Sequence, residues 1–160
     1  MTKKTTLCYI ERDEKYLLLH RVKKKQDVNE GKWVGIGGHF LPDESPDECL
    51  LREVREETGL TLSSYHFVGR VLFLAPPWPR AVMYLYHATT DGGDDLPECD
   101  EGVLAWVDKK EALSLPMWEG DRVFLPLLEA DSEPICLLLR YEGDRLVEHR
   151  LGGEEIFAEE

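Results

Sequence analysis

Gly38, Glu44, Arg52, Glu53, Glu56, Glu57 and Gly59, with the aliphatic Val54 and Leu60, fit the spacing G-x5-E-x7-R-E-U-x-E-E-x-G-U, where U is aliphatic. At average residue usage, a chance match at any one start is on the order of 10⁻⁹. Three carboxylates packed into five residues repel one another and offer hard oxygen donors, the donor type that suits Mg²⁺ or Mn²⁺. The paired glycines Gly37 and Gly38 just upstream remove side chains, so backbone can come close to a metal or a phosphate. Together these residues describe a cation site facing a phosphate-sized space. A plain solvated helix face would explain an arbitrary acidic run. It needs neither the glycines nor an arginine four residues ahead of Glu56, where a guanidinium can orient that carboxylate.

A helix has to carry this set. Ser45-Pro46-Asp47-Glu48 has the form of a helix start, with Ser45 as N-cap, Pro46 where a missing N–H costs nothing, and Glu48 reaching back in a capping box. Gly59 is the natural stop. At about 100° per residue, Leu50, Leu51 and Val54 share one arc, and Glu53, Glu56 and Glu57 share the next. One edge is expected to pack and the other to be acidic.

The chain of 160 residues is long enough for one domain with a real core and shows no composition break. A formal net charge of −13 argues against a nucleic-acid polymer as partner, because duplex binding wants a basic stripe. A small metal-chelated anion remains compatible. Cys8, Cys49, Cys99 and Cys136 are far apart, and His20, His39, His66, His87 and His149 are equally scattered, so the cysteines read as reduced core thiols and a zinc site is not expected. No apolar run approaches the ~20 residues that span a bilayer, and the N-terminus lacks a signal-peptide pattern. The expectation is a cytoplasmic protein with no membrane contact, acting as a monomer or homodimer.

Taken in order, Leu7 to Ile10 and Tyr16 to His20 read as a hairpin. Arg21 to Lys25 is the one dense basic cluster and Gln26 to Lys32 a polar loop; lying just upstream of the glycines, Arg21 or a neighbouring lysine is placed to touch phosphate. Trp33 to Ile36 reads as a short strand feeding Gly37 and Gly38, with His39 beside the site. Strands are expected at Ser64 to Leu74, Ala81 to Thr89 and Val103 to Val107, a short helix at Asp108 to Leu113, and a second at Trp118 to Glu129 with Pro126 inside it. Pro134 to Tyr141 and Arg145 to Leu151 form a closing hairpin. The domain reads as residues 1–151, followed by a tail, 152–160, with no visible chemistry.

The spacing from Gly38 to Leu60 resembles the Nudix box, and the order of elements resembles the Nudix fold, an α/β (α+β) sandwich of α/β/α type around a mixed β-sheet. The resemblance implies a pyrophosphohydrolase that cleaves phosphorus-containing anhydrides with Mg²⁺ or Mn²⁺ as cofactor. It implies Glu53, Glu56 and Glu57 as metal-binding acids, the Gly37 carbonyl as a further ligand, Glu101 as an acid from a distant loop, and Arg52 as the group orienting the glutamates. Glu44 matches a position that is often structural. Either Glu53 or Glu101 would take the proton from the attacking water.

Outside the box, Pro116 to Asp121 is similar to the base-recognition segment of the family's oxidised-purine triphosphatases. That likeness implies Trp118 stacking on a purine, Asp121 bonding its edge, and Phe73 and Met83 as pocket walls. Two positions depart: Val34 stands where those enzymes usually carry Asn, and Gly120 replaces one of their paired acids. The leading expectation is hydrolysis of a nucleoside triphosphate, such as 8-oxo-dGTP, to the monophosphate and pyrophosphate. The alternatives are a sugar nucleotide or dinucleoside polyphosphate as substrate, or a nucleotide-sensing domain without turnover.

Overall fold

A computed structural model describes residues 2–23, 28–130 and 133–158. Of the basic cluster and polar loop read from the sequence, Lys24, Lys25, Gln26 and Asp27 lie outside the described residues, as do Glu159 and Glu160 of the tail. The strands are β1 (Lys3–Arg12), β2 (Lys15–His20), β3 (Trp33–Val34), β4 (Ser64–Leu74), β5 (Ala81–Thr89), β6 (Val103–Asp108), β7 (Ile135–Glu142) and β8 (Arg145–Gly152). The helices are α1 (Pro46–Thr58), α2 (Lys109–Ala112) and α3 (Asp121–Phe124). The strands form one mixed sheet in the order β3-β2-β1-β5-β4-β7-β8, with β6 on β2. β1 and β5 run parallel, as do β4 and β7, while the hairpins β1–β2 and β7–β8 are antiparallel. This is the expected α+β class. No helix among the described residues is long and apolar enough to cross a membrane.

One departure from a regular sheet sets up the rest. β1 pairs with β2 only from Ile10 to Arg12, and beyond that point the same edge of β2 carries β3. The chain leaving β3 lies along the vacated edge of β1 instead, bridging Cys8 to Ile36 and Thr5 to His39. Gly37 and Gly38 therefore sit between two strands that have splayed apart, directly against β1.

Side chains alternate across β1 and so build two cores. Tyr9 points into a cluster with Leu18, Phe124, Leu128, Leu137 and Leu139, while Cys8 and Ile10 point into one with Leu17, Leu19, Leu50 and Val54. Helix α1 covers the second face, and α3 with the following 3₁₀ turn Leu125–Leu127 covers the first. The start of α1 is as expected: Ser45 accepts from the Glu48 N–H at 3.1 Å, and Glu48 accepts from the Ser45 N–H at 2.9 Å. Gly59 ends the helix with φ 71°.

Two expectations need correcting. Leu51 is 44% exposed, because the buried arc of α1 is centred on Cys49, Leu50, Val54 and Thr58 and turns Leu51 outward. The helix expected from Trp118 to Glu129 is only one turn of α-helix at Asp121–Phe124, after which Pro126, which lacks an N–H, leaves a 3₁₀ turn. Beyond β8, Glu154–Ala158 forms a 3₁₀ turn that drives Ile156 into a third cluster with Leu72, Leu74, Val82 and Leu138.

Ile156 is fully buried although it lies a few residues from the end of the chain. Changing Ile156 to Ala should therefore cost about 2 to 5 kcal/mol of unfolding free energy, as for a core aliphatic. Urea titration of the two proteins measures this, and a loss below about 0.5 kcal/mol would mean that the turn adds nothing to the core.

Candidate active site

The acidic residues of α1 face the Gly37-Gly38 segment, and the packing against β1 is close enough to dictate Gly37. A β-carbon on Gly37 would lie 1.9 Å from the Thr6 carbonyl oxygen, and one on Gly38 would lie 2.6 Å from the Glu53 carboxyl carbon. The Gly37 N–H donates to Glu57 Oε2 at 3.2 Å. The loop thus lies flat between β1 and the carboxylates.

Arg52 holds the remaining acids in register. Its Nε and Nη2 grip both oxygens of Glu44 at 2.6 and 2.9 Å, a fork-to-fork arrangement. Nη1 donates to Glu53 Oε1 at 2.9 Å and to Glu56 Oε1 at 3.0 Å, and Nη2 reaches the His39 carbonyl at 3.0 Å. Held by that guanidinium, Glu44 has its pKa lowered to about 2. His39 takes part through its backbone; its ring is exposed.

Glu57 is the carboxylate that pays for its position. Burial, then the charges of Glu53 and Glu101, push its pKa up to about 8, only partly offset by the Gly37 N–H and Arg21. Burial raises Glu53 as well, against the pull of Arg52. Glu101 arrives from the loop before β6, where Arg21 meets it at 3.1 Å. Arg21, expected at a phosphate, thus stands beside an acid at the edge of the same site. Glu56 is exposed at the rim.

Carboxylate oxygens of Glu57 and Glu101 and the Cys99 sulfur all lie within 4.8 Å of one another. A set of hard oxygens around a desolvated, repelled carboxylate fits a divalent cation, which would replace the proton that burial otherwise favours. Cys99 was expected only as a core thiol. The one hint to its place was its nearness in sequence to Glu101.

The residues singled out for base recognition cluster elsewhere, on the opposite face of the sheet. Trp118 is 4% exposed and meets the rings of Phe73 and Tyr141 edge-on, with centroids 5.0 and 4.8 Å away. Its Nε1 donates to Asn29 Oδ1 at 2.8 Å, and Lys32 Nζ lies 4.4 Å above its ring. Met83 is half-buried against the same cluster. Asp121 is 5% exposed beside the Tyr9 hydroxyl, and burial lifts its pKa to about 7 despite Arg122 and Lys32. Neither Tyr141 nor the Asn29–Lys32 cover was foreseen, because a lone Tyr and a polar loop carry no spacing signal.

Comparison with known proteins bears on the whole assembly. Residues 1–128 match the NUDIX domain. The chain is 28% identical over 130 residues to the oxidized purine nucleoside triphosphate hydrolase of Danio rerio, covering 80% of this chain and 82% of that protein. It is 33% identical over 129 residues to the CTP pyrophosphohydrolase of Escherichia coli, covering 76% and 84%. The crystal structure of a MutT protein from Bacillus halodurans superimposes with a TM-score of 0.78 at 30% identity, covering 93% of this chain and 97% of that one.

Asp121 gives a pH test of the cluster around Trp118. Its folded pKa lies above the ordinary value near 4, so folding favours the protonated form. That stability is fully present below about pH 4 and is lost as pH rises through about 7. Changing Asp121 to Asn should remove this decline, so that the variant gains on the parent protein between pH 4 and 7.5 in urea unfolding. Parallel curves over that range would mean that the carboxyl is not desolvated.

Proposed function

Since the chain belongs to the NUDIX family and is a pyrophosphohydrolase, we propose that it hydrolyses a purine nucleoside triphosphate, oxidised or ordinary, to the monophosphate and pyrophosphate with Mg²⁺ or Mn²⁺. The observation that carries this reading is the convergence of Glu53, Glu57 and Glu101 on the Gly37-Gly38 loop, with Glu57 desolvated and short of a counter-charge. The purine preference rests on the likeness to the oxidised-purine hydrolase of Danio rerio and on the Trp118, Phe73 and Asp121 cluster.

Glu53, Glu56, Glu57 and Glu101, with the Gly37 carbonyl, would hold the metal. A divalent cation there supplies neutralisation of the phosphate oxygens and polarises water. The protein's own residues do the rest. Arg52 keeps Glu53 and Glu56 from turning away from each other or from the site. Both candidate bases meet a guanidinium, Glu53 that of Arg52 and Glu101 that of Arg21, and Glu53 is favoured because burial raises its proton affinity in spite of that contact. Arg21, at the edge of the cluster, is positioned to exchange Glu101 for a substrate phosphate. Gly38 and His39 line the approach, and Trp118, Asp121, Phe73 and Met83, a separate cluster on the other face of the sheet, would take the base.

Changing Glu57 to Gln, or Glu53 to Gln, should lower turnover by about 10²-fold or more while the protein stays folded, and excess chelator should abolish turnover. Variants within a few-fold of the parent would remove these residues from the site. Mg²⁺ should also raise the melting temperature of the parent, as any ligand of the native state does.

Substrate choice is read from initial rates on GTP, ATP, 8-oxo-dGTP, CTP, a sugar nucleotide and a dinucleoside polyphosphate, with phosphate and pyrophosphate assayed separately. A purine triphosphate releasing pyrophosphate should rank first. Preference for CTP or for a sugar nucleotide would overturn the purine reading and leave the metal site intact.

A further inference from the structure

The loop that delivers Glu101 also delivers a sulfur. Cys99 bridges to Gly102, and a β-carbon on Gly102 would stand 1.9 Å from the His20 carbonyl, so the turn is pressed against the end of β2. Lys23 ties it down twice, through its N–H to the Glu101 carbonyl at 3.2 Å and through Nζ to the Cys99 carbonyl at 3.0 Å. The turn is thereby fixed in a shape that aims both side chains at Glu57.

Cys99 is only 8% exposed. Among the described residues its thiol has no hydrogen-bond partner, unlike Cys49, which meets Thr6 Oγ1 at 3.4 Å. Burial without a partner is ordinary for a core cysteine, but this one lies within 4.8 Å of two carboxylates and not in an apolar shell alone. Donors around a tetrahedral Zn²⁺, with bonds of about 2.0 to 2.3 Å, are roughly 3.3 to 3.8 Å apart. The present set closes on that geometry with a shift of about an ångström.

We propose that Cys99 is a sulfur ligand of the metal centre, which therefore accepts a borderline-soft divalent cation such as Zn²⁺ or Co²⁺ on Cys99, Glu57 and Glu101 in addition to Mg²⁺ on oxygens alone. This rests on the metal-centre reading above. Mg²⁺ has little use for a thiol, so Cys99 is a bystander when the hard cation binds. With Zn²⁺ or Co²⁺ the thiol proton leaves to solvent and a metal–sulfur bond forms. The two kinds of cation then compete for the Glu57 and Glu101 oxygens.

The test uses the full chain, stripped with chelator and desalted. Titration with Co²⁺ should give a near-ultraviolet thiolate-to-cobalt charge-transfer band, which a site of oxygen donors cannot produce. The band should vanish in Cys99→Ser and persist in Cys136→Ser, which removes the half-buried thiol. Competition against a chromophoric chelator should show Zn²⁺ binding about tenfold or more weaker in Cys99→Ser, and Mg²⁺ affinity changed by less than about threefold. Absence of the band in the parent protein, or its survival in Cys99→Ser, overturns the proposal. If Mg²⁺ binding is lost in Glu57→Gln while no cobalt–thiolate band forms in the parent, the sulfur ligand fails and the metal centre stands; if the parent binds neither cation, both fail.

Discussion

The contacts of Arg52 are the interaction on which the site depends. One guanidinium touches Glu44, Glu53, Glu56 and the His39 carbonyl, so it joins the loop before α1, the helix itself and the strand-like segment after the glycines. Without it, Glu53 and Glu56 would be like charges three residues apart with no counter-charge, and each would turn toward water. With it, repulsion is balanced on one side of the acids only. Glu57 lies on the other side, out of reach of that guanidinium, and burial with the charges of Glu53 and Glu101 pushes its pKa up to about 8. Arg52 thus concentrates the unmet demand for positive charge at a single place.

That concentration depends in turn on the splayed strands. Had β1 and β2 paired along their whole length, no edge of β1 would remain for Gly37 and Gly38, and α1 would face a closed sheet. Gly37 is needed because the Thr6 carbonyl lies directly beneath it, while Gly38 leaves room for the Glu53 carboxylate above. Any side chain at Gly37 meets backbone that cannot give way. Fold and site are therefore fixed by one structural choice, the early parting of the first two strands.

Most of this was legible before any coordinates. The Nudix spacing is one contiguous stretch, the capping box of α1 and the left-handed Gly59 are signals set within a turn, and β4 and β5 matched their expected bounds. What was not legible depends on distant partners. Leu51 differs from Leu50 only in which side of α1 the sheet occupies. Helix α3 is short because Pro126 intervenes, yet the extent of the turn after it is decided by packing under Phe124 and Leu128. Ile156 looks like a stray residue in an acidic tail until Leu72 and Leu138 supply its pocket. Cys99 belongs to the same class, since its nearness to Glu57 follows from where the loop before β6 lands against α1.

The two departures from the oxidised-purine pattern, Val34 and Gly120, have different physical meanings. Val34 is buried in the core beneath α1, a position where an apolar side chain is at home. At Gly120 a β-carbon would lie 2.5 Å from the Tyr141 hydroxyl and 2.5 Å from Leu139 Cδ1, so a side chain there would displace both groups. The hydroxyl accepts from the Gly120 N–H at 2.7 Å. Asp121 then stands as a single carboxyl between two phenols, Tyr9 and Tyr141, instead of beside another carboxylate. A pair of acids shares protons because like charges cannot both ionise, whereas a lone buried acid is held protonated by desolvation alone. With burial pushing its pKa up to about 7, the Asp121 carboxyl when protonated can both donate and accept a hydrogen bond without a paired acid.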